Sequence, residues 1–437
     1  MMQTTKPQSS RNRAAAPAHR ELFQPIRIGN CEIKNRIAMA PMNTVFSMDN
    51  RGYPNEQILA YYAARAKGGT GLIITECVLG TRLASRFPYT SNLHLFNGTH
   101  LPGLEELVET IHAFNAKVFI QLSIGFGRQG HSHDHEAPPA PSAGIPYQTD
   151  PEMFPPKMRK LFEKNTHLLN PKIPSMAIAQ MPREMTREEI KSEIDEFGHS
   201  CVLAVMAGFD GIELHAPHGY LEHQFLSPRT NRRTDEYGGS LENRMRFVIE
   251  IYDKVREMIG TAVAVGIRLS GDEHMPDGIH HEEMKEVVRV LGERGIDYVH
   301  LSSGSYEATK YFFPEQDGTM LDEAAGFKSV LPAHVPVMTP SVHDPAMAAR
   351  AIRDGKTDLI SLGRQLLIDP EWANKVRAGE KFRKCTRCCE CLGRTTLGMP
   401  VRCLHNRDLG RERYMPEYWR PTRAKGRLVM PQIAPLP

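Results

Sequence analysis

Gly71-Leu72-Ile73-Ile74-Thr75-Glu76 is a run of consecutive apolar residues that ends on polar ones. A strand with one wet face would alternate polar and apolar side chains. An unbroken run indicates a strand covered on both faces, as in parallel sheets flanked by helices. Amphipathic helical spacing precedes it over 55–67 and follows it over 103–115. The same alternation repeats along the chain. Strands are predicted over 36–41, 71–76, 117–123, 211–216, 262–270, 298–304, 335–341 and 359–364. Further helices are predicted over 186–207, 241–259, 281–294 and 345–354. This order predicts an α/β fold, a (β/α)8 TIM barrel over about 36–375. A doubly wound open sheet is the alternative, but no G-x-G-x-x-G opens a helix to support it.

The 437 residues can bury a large core. Charge is nearly balanced at +3, which gives no basis for nucleic acid or an acidic membrane surface as partner. No stretch approaches the roughly 20 apolar residues of a membrane helix, and no hydrophobic signal core follows the start. Residues 1–21 read as a disordered tail, and the Pro- and Arg-rich 413–437 as an extended one. Cys31, Cys77 and Cys201 are isolated. They form no disulfide framework, which fits a reducing compartment and a cytoplasmic location.

One connection is far longer than a barrel loop should be. The insertion at about 124–185 follows the third strand, on the face where barrels do chemistry, and loops of such length are usually lids. Its His131-Ser132-His133-Asp134-His135 run could bind a metal, although a solvated histidine-rich loop is the commoner outcome.

At the end of the fourth strand stands His215-Ala216-Pro217-His218-Gly219-Tyr220. Alternation puts His215 on the face of Gly211 and Glu213, and a turn at Pro217 and Gly219 would present His218 and Tyr220 to the same cavity. Two imidazoles can donate to one oxygen and stabilise charge developing there, and a tyrosine can give a proton. Any one of these residues alone could be ordinary strand-end packing.

Near the C-terminus, Cys385, Cys388 and Cys391 form a C-x2-C-x2-C run, with Cys403 farther along. Such spacing lets thiolates wrap one inorganic core, and an iron–sulfur cluster is expected over 376–412. A structural zinc site or ordinary buried cysteines remain open from these residues alone. Cys389 has no partner in the pattern.

Phe225-Leu226-Ser227-Pro228 and the run NRRTDEYGGSLENR at 231–244 resemble the signature of the old yellow enzyme family of FMN-dependent (β/α)8 barrels. The resemblance covers about 22–375 and includes Ala40-Pro41-Met42, Ile74-Thr75-Glu76, Gln121, Arg268 and Gly363-Arg364. The cysteines resemble those of its iron–sulfur subgroup, which includes 2,4-dienoyl-CoA reductase and trimethylamine dehydrogenase and carries a [4Fe-4S] cluster after the barrel.

The resemblance implies that Pro41, Met42 and Asn43 line the flavin ring and that Cys77 contacts it through its backbone. Gln121 would bond the pyrimidine edge and Arg268 would sit by N1 and O2. Gly363 and Arg364 would hold the phosphate. His215 and His218 match the substrate-oxygen pair, Tyr220 the proton donor, and Cys385, Cys388, Cys391 and Cys403 the cluster ligands. Asn43 stands where some relatives tether FMN through a cysteine, so the flavin is expected to be non-covalent.

Two other positions depart from the pattern. Pro340-Ser341 replaces a Gly-Arg or Asn-Arg pair, and Tyr306 stands where the dienoyl reductase has a histidine. The 231–244 run reads as architectural, a long loop knitted to the next helix. The subgroup continues into nucleotide-binding domains, which are not expected in this chain.

The implied function is an FMN- and [4Fe-4S]-dependent ene-reductase acting on an α,β-unsaturated carbonyl or enoyl substrate, with monomer and homo-oligomer both open. Electrons would come from NADH or NADPH, or through the cluster from a partner flavoprotein, electron-transferring flavoprotein or ferredoxin. An oxidative amine dehydrogenase and a non-catalytic electron-transfer subunit are the alternatives.

Overall fold

Eight parallel strands close on themselves in the computed structural model, which describes residues 19–46, 51–132, 134, 136–148, 150–164 and 180–420. They are β1 (Ile37–Met39), β2 (Leu72–Leu79), β3 (Lys117–Ser123), β4 (Gly211–His215), β5 (Ala264–Ser270), β6 (Tyr298–Ser302), β7 (Val337–Pro340) and β8 (Leu359–Leu362). Each pairs with its neighbour in sequence, and β1 closes the ring by pairing both β2, through Ala38 and Leu72, and β8, through Ile37 and Ile360. The expected (β/α)8 barrel is therefore present. A short strand, Leu93–His94, adds to the far end of β2 and was not foreseen.

The helices that cover the barrel begin where the side chains can satisfy free backbone donors. In α1 (Glu56–Lys67), Asn55 accepts from the Ile58 amide. After α2 (Leu101–His112), α3 (Arg187–Met206) opens with a reciprocal capping box between Thr186 and Glu189. In α4 (Leu241–Ile259), Ser240 caps Asn243. The remaining wall is α5 (His281–Glu293), α6 (Leu321–Val330) and α7 (Pro345–Arg353), followed by α8 (Trp372–Ala378). Outward strand residues such as Ile212 and Leu214 join the helices' buried faces in one apolar cluster.

Inside the barrel the order is floor, polar layer, mouth. An antiparallel hairpin, Ile26–Ile28 with Cys31–Ile33, puts Ile28, Cys31 and Ile33 into one cluster with Leu72, Phe119, Tyr298 and Leu359. Each such aliphatic side chain, fully buried, contributes about 1.5–3 kcal/mol. Gly266 is required there, because a Cβ would lie 2.0 Å from the Tyr298 ring. The same interior holds Glu213, which accepts from Gln121 Nε2 at 2.7 Å, the Tyr298 hydroxyl at 2.9 Å and His300 Nδ1 at 2.9 Å. Burial opposes its charge, but His300 and Arg268 hold its carboxyl below the usual range.

The 231–244 run is a scaffold. Asn231 donates to the Phe225 and Tyr237 carbonyls, and Arg233 pairs with Asp235 while donating to the Pro141 and Met185 carbonyls. In the long connection after β3, Pro139–Ala140 pairs with Arg183–Glu184, and a helix spans Pro156–Lys164. Residues 165–179 lie outside the described residues, as do most of the predicted tails, at 1–18 and 421–437.

The expected separate metal-binding extension after the barrel is corrected. Cys391, Val401 and Leu409 belong to the main core. Arg65 of α1 forms a buried pair with Glu412, its Nη1 2.7 Å from Oε1, and its Nε donates to the Leu366 carbonyl at 3.2 Å. Trp419 packs on Ala60 and Ala63. These contacts sew the segment into the barrel wall, while Cys389, Leu392 and Leu397 pack with Met158 and Phe162 of the long connection.

Candidate functional site

The mouth of the barrel opens into a cavity of about 1200 Å³, counted with its open end. Strand alternation brings His215 from β4 and Arg268 from β5 to it, and the turns after the strands bring the rest. His218 lies at φ 65° and Gly219 at φ 81°, which swings the chain back over the mouth. The His218 amide donates to Ser270 Oγ at 3.1 Å, and its carbonyl accepts from the Tyr306 amide at 3.1 Å. The ring centroids of His215 and His218 are 5.8 Å apart, and those of His215 and Tyr220 are 5.1 Å apart. Pro41, Met42, Asn43, Cys77, Gln121, Gly363 and Arg364 line the same cavity. All eleven non-cysteine-cluster residues named from sequence are thus brought together.

Burial sets the protonation states. It pushes both His215 and His218 well below the ordinary imidazole range, reinforced by the nearby Arg268 charge, so both rings are neutral. His218 Nε2 lies 2.7 Å from Ser302 Oγ, and its ring stacks on Phe312 at 4.5 Å. Nδ1 of His215 is buried without a hydrogen-bond partner among the described residues. Burial and the phenols of Tyr306 and Tyr89 push Tyr220 well above the ordinary phenol range, so it keeps its proton. Burial raises the Cys77 thiol likewise, and the Cys77 carbonyl accepts from Asn92 at 3.1 Å.

Several lining residues had no reading in the sequence. Tyr89 and Phe126 wall off Tyr220, with ring centroids 6.0 and 4.8 Å away. The Phe87-Pro88-Tyr89 turn after β2 was the available signal, since an aromatic residue beside a proline at a barrel mouth has no core to fill. His343 lines the cavity beside Ser341 and Arg364, and Arg387 reaches His343 Nδ1 at 3.4 Å. Among the described residues no Asp or Glu lines the cavity, which carries the cations Arg268 and Arg364.

FMN, which the resemblance implies, fits this donor set. Among the described residues, Arg268 Nε and Arg364 Nη1 are buried without partners and no acidic group lines their cavity. An anionic, hydrogen-bonding ligand would satisfy both.

The expected [4Fe-4S] cluster and the iron–sulfur subgroup are corrected. Cys385, Cys388, Cys391 and Cys403 line one small cavity with Cys389 and two arginines. Among the described residues, however, no group of three or more His, Cys, Asp or Glu side chains is placed to hold a metal ion. Burial raises the Cys389, Cys391 and Cys403 thiols, so each favours its protonated form. Local bonds also engage the sulfurs: Cys385 Sγ accepts from the Arg387 amide at 3.4 Å, and Cys389 donates to the Arg387 carbonyl at 3.5 Å. In the histidine-rich run, His133 and His135 lie outside the described residues, and His131 stacks on Tyr89. No helix among the described residues is long and apolar enough to cross a membrane.

The model of the NADH:flavin oxidoreductase / NADH oxidase family matches residues 21–382. The chain is 36% identical over 404 residues to an NADH oxidase of Thermoanaerobacter brockii, covering 90% of this chain and 56% of that protein. It is 34% identical over 421 residues to a cinnamate reductase of Clostridium sporogenes, covering 90% and 59%. The chain thus spans little more than half the length of these curated relatives. Among solved structures, a 2-naphthoyl-CoA reductase complex superposes with a TM-score of 0.78 at 28% identity, covering 91% of this chain and 58% of that one. Morphinone reductase superposes with a TM-score of 0.65 at 26% identity, covering 85% and 92%. On its barrel, its cavity and this match, the chain belongs to the NADH:flavin oxidoreductase / NADH oxidase family of flavin-dependent oxidoreductases.

Proposed function

We propose that this chain binds FMN non-covalently and reduces a carbon–carbon double bond conjugated to a carbonyl in a small organic substrate. Pro41, Met42, Asn43, Cys77, Gln121 and Arg268 would hold the flavin ring, and Gly363 and Arg364 its phosphate. When bound, FMN supplies the hydride. His215 and His218 orient the carbonyl oxygen and hold the charge that develops on it, and Tyr220 gives a proton to the α-carbon. The carrying observation is the buried Nδ1 of His215, without a hydrogen-bond partner among the described residues, on a ring whose centroid lies 5.1 Å from that of Tyr220; burial favours the neutral imidazole and the protonated phenol. A neutral imidazole can donate a hydrogen bond to an oxygen without bringing an acidic competitor. The names of the cinnamate and 2-naphthoyl-CoA reductases among the relatives agree with a conjugated acyl substrate.

A cationic amine is the weaker reading, although one relative at 30% identity is an N,N-dimethylglycine/sarcosine dehydrogenase. The aromatic walls could stack on an ammonium group, but among the described residues no carboxylate lines the cavity to neutralise it. NADH or NADPH would reduce the flavin at the same face.

The test is direct. Protein loaded with FMN is bleached anaerobically with NADH or NADPH, then mixed with 2-cyclohexenone or with trimethylamine. Recovery of the yellow colour with the enone, and none with the amine, is expected. Oxidised protein that is bleached by the amine and a reduced form inert to the enone would reverse the assignment.

A further inference from the structure

Tyr306 stands at the start of the turn after β6 and shares the cavity with Tyr220. Their ring centroids are 5.5 Å apart at an interplanar angle of 44°. Burial raises both phenols, and a hydrogen bond between them adds to the rise at Tyr220 while offsetting part of it at Tyr306. Tyr220 is otherwise enclosed. His215, His218, Tyr89 and Phe126 surround its ring, and the Tyr89 hydroxyl has no hydrogen-bond partner among the described residues. Tyr220 is buried, whereas Tyr306 is only partly so. Of the two residues, Tyr306 is the one with partly exposed surface at the mouth.

The surroundings fix Tyr306 in this position. Its amide is bonded to His218, and its carbonyl accepts from the Tyr147 hydroxyl at 3.3 Å. The adjacent Glu307 is a buried hub that accepts from Arg128 Nη2 at 2.5 Å, Arg229 Nε at 3.2 Å and the Gln148 amide at 3.0 Å. Two of those donors, Arg128 and Gln148, come from the long connection after β3. That connection thereby holds the Tyr306 turn down on the mouth.

We propose that Tyr306 refills Tyr220 between turnovers. The Tyr220 O–H bond breaks as its proton moves to the substrate α-carbon. The Tyr306 O–H then breaks, its proton passes to the Tyr220 oxygen, and Tyr306 takes a replacement proton from water at the mouth. No electron moves in this sequence, and one proton enters for each one delivered. The proposal rests on the reading of Tyr220 as proton donor.

The test is the time course of enone reduction by FMN-loaded protein under excess dithionite, with 2-cyclohexenone as probe. Tyr306→Phe is expected to give one product per site at the wild-type rate. A steady state about 10- to 100-fold slower should follow, showing an enlarged solvent deuterium isotope effect. Tyr306→His keeps a transferable proton and should abolish the burst. A Tyr306→Phe protein with wild-type steady-state rate and isotope effect overturns the relay alone. One that slows the first turnover and later ones equally marks Tyr306 as packing, and overturns it too. A Tyr220→Phe protein with undiminished first turnover overturns the proton-donor reading and the relay with it.

Discussion

Nε2 of His218 lies 2.7 Å from Ser302 Oγ, and Arg268 Nη2 reaches the same oxygen at 3.4 Å. One hydroxyl from β6 therefore sets the ring orientation of a histidine after β4 and touches the guanidinium from β5. Ser302→Ala is expected to free the His218 ring. The enone KM should rise about 3- to 10-fold with a smaller change in kcat, from loss of about one hydrogen bond. Steady-state kinetics of the FMN-loaded variant check it.

Tyr220→Phe removes the proton proposed to reach the α-carbon. Reduction of the enone should fall about 100- to 10,000-fold, while bleaching by NADH or NADPH keeps its rate. Stopped-flow measurement of the two half-reactions separates them.

Arg364 has a buried Nη1 without a partner among the described residues, while its Nη2 donates to the Pro314 carbonyl at 3.0 Å. Arg364→Lys keeps a charge but loses the planar fork. FMN affinity should drop about 10- to 100-fold, measured as the return of flavin fluorescence on dilution.

Three buried carboxyls make the protein's stability fall with rising pH. Burial raises Glu76 and Glu193 to about 7 and Glu222 to about 8. Each binds its proton more tightly in the folded chain than in the unfolded one. Its contribution is full below the ordinary carboxyl range and is lost as pH climbs from there through about 7 to 8. Glu222→Gln should therefore flatten this decline, raising Tm relative to the parent more at pH 9 than at pH 5. At the acid end, Asp235 is held to about 2 by Arg233, and Glu273, against its burial, to about 2 by His223 and Ser227. Their contribution is lost as pH falls toward that value.

The barrel was legible because its determinants are local. The continuous apolar run in β2 and the caps at Asn55, Thr186 and Ser240 mark element type and ends within a few residues. The His215, His218 and Tyr220 grouping was legible because one strand end and its turn carry all three. Residues such as Tyr89, His343 and Tyr306 lie on separate loops, and only closure of the ring brings them to Tyr220 or Arg364. The cysteine run misled for a related reason. Its spacing permits a shared ligand, whereas burial raises the Cys391 thiol and the Arg387 backbone engages the Cys385 and Cys389 sulfurs, and neither is written in the spacing.

Arg65 grips Glu412 with one arm and the Leu366 carbonyl with another. Leu366 lies two positions from Arg364 on the short helix Arg364–Ile368. A clone trimmed at residue 382, where the family match stops, would strand a cation inside the wall. Such a loss of a buried counter-charge costs about 3–5 kcal/mol. Poor expression of that shortened version, or its failure to retain flavin, would trace to the missing carboxylate and not to the chemistry at the mouth.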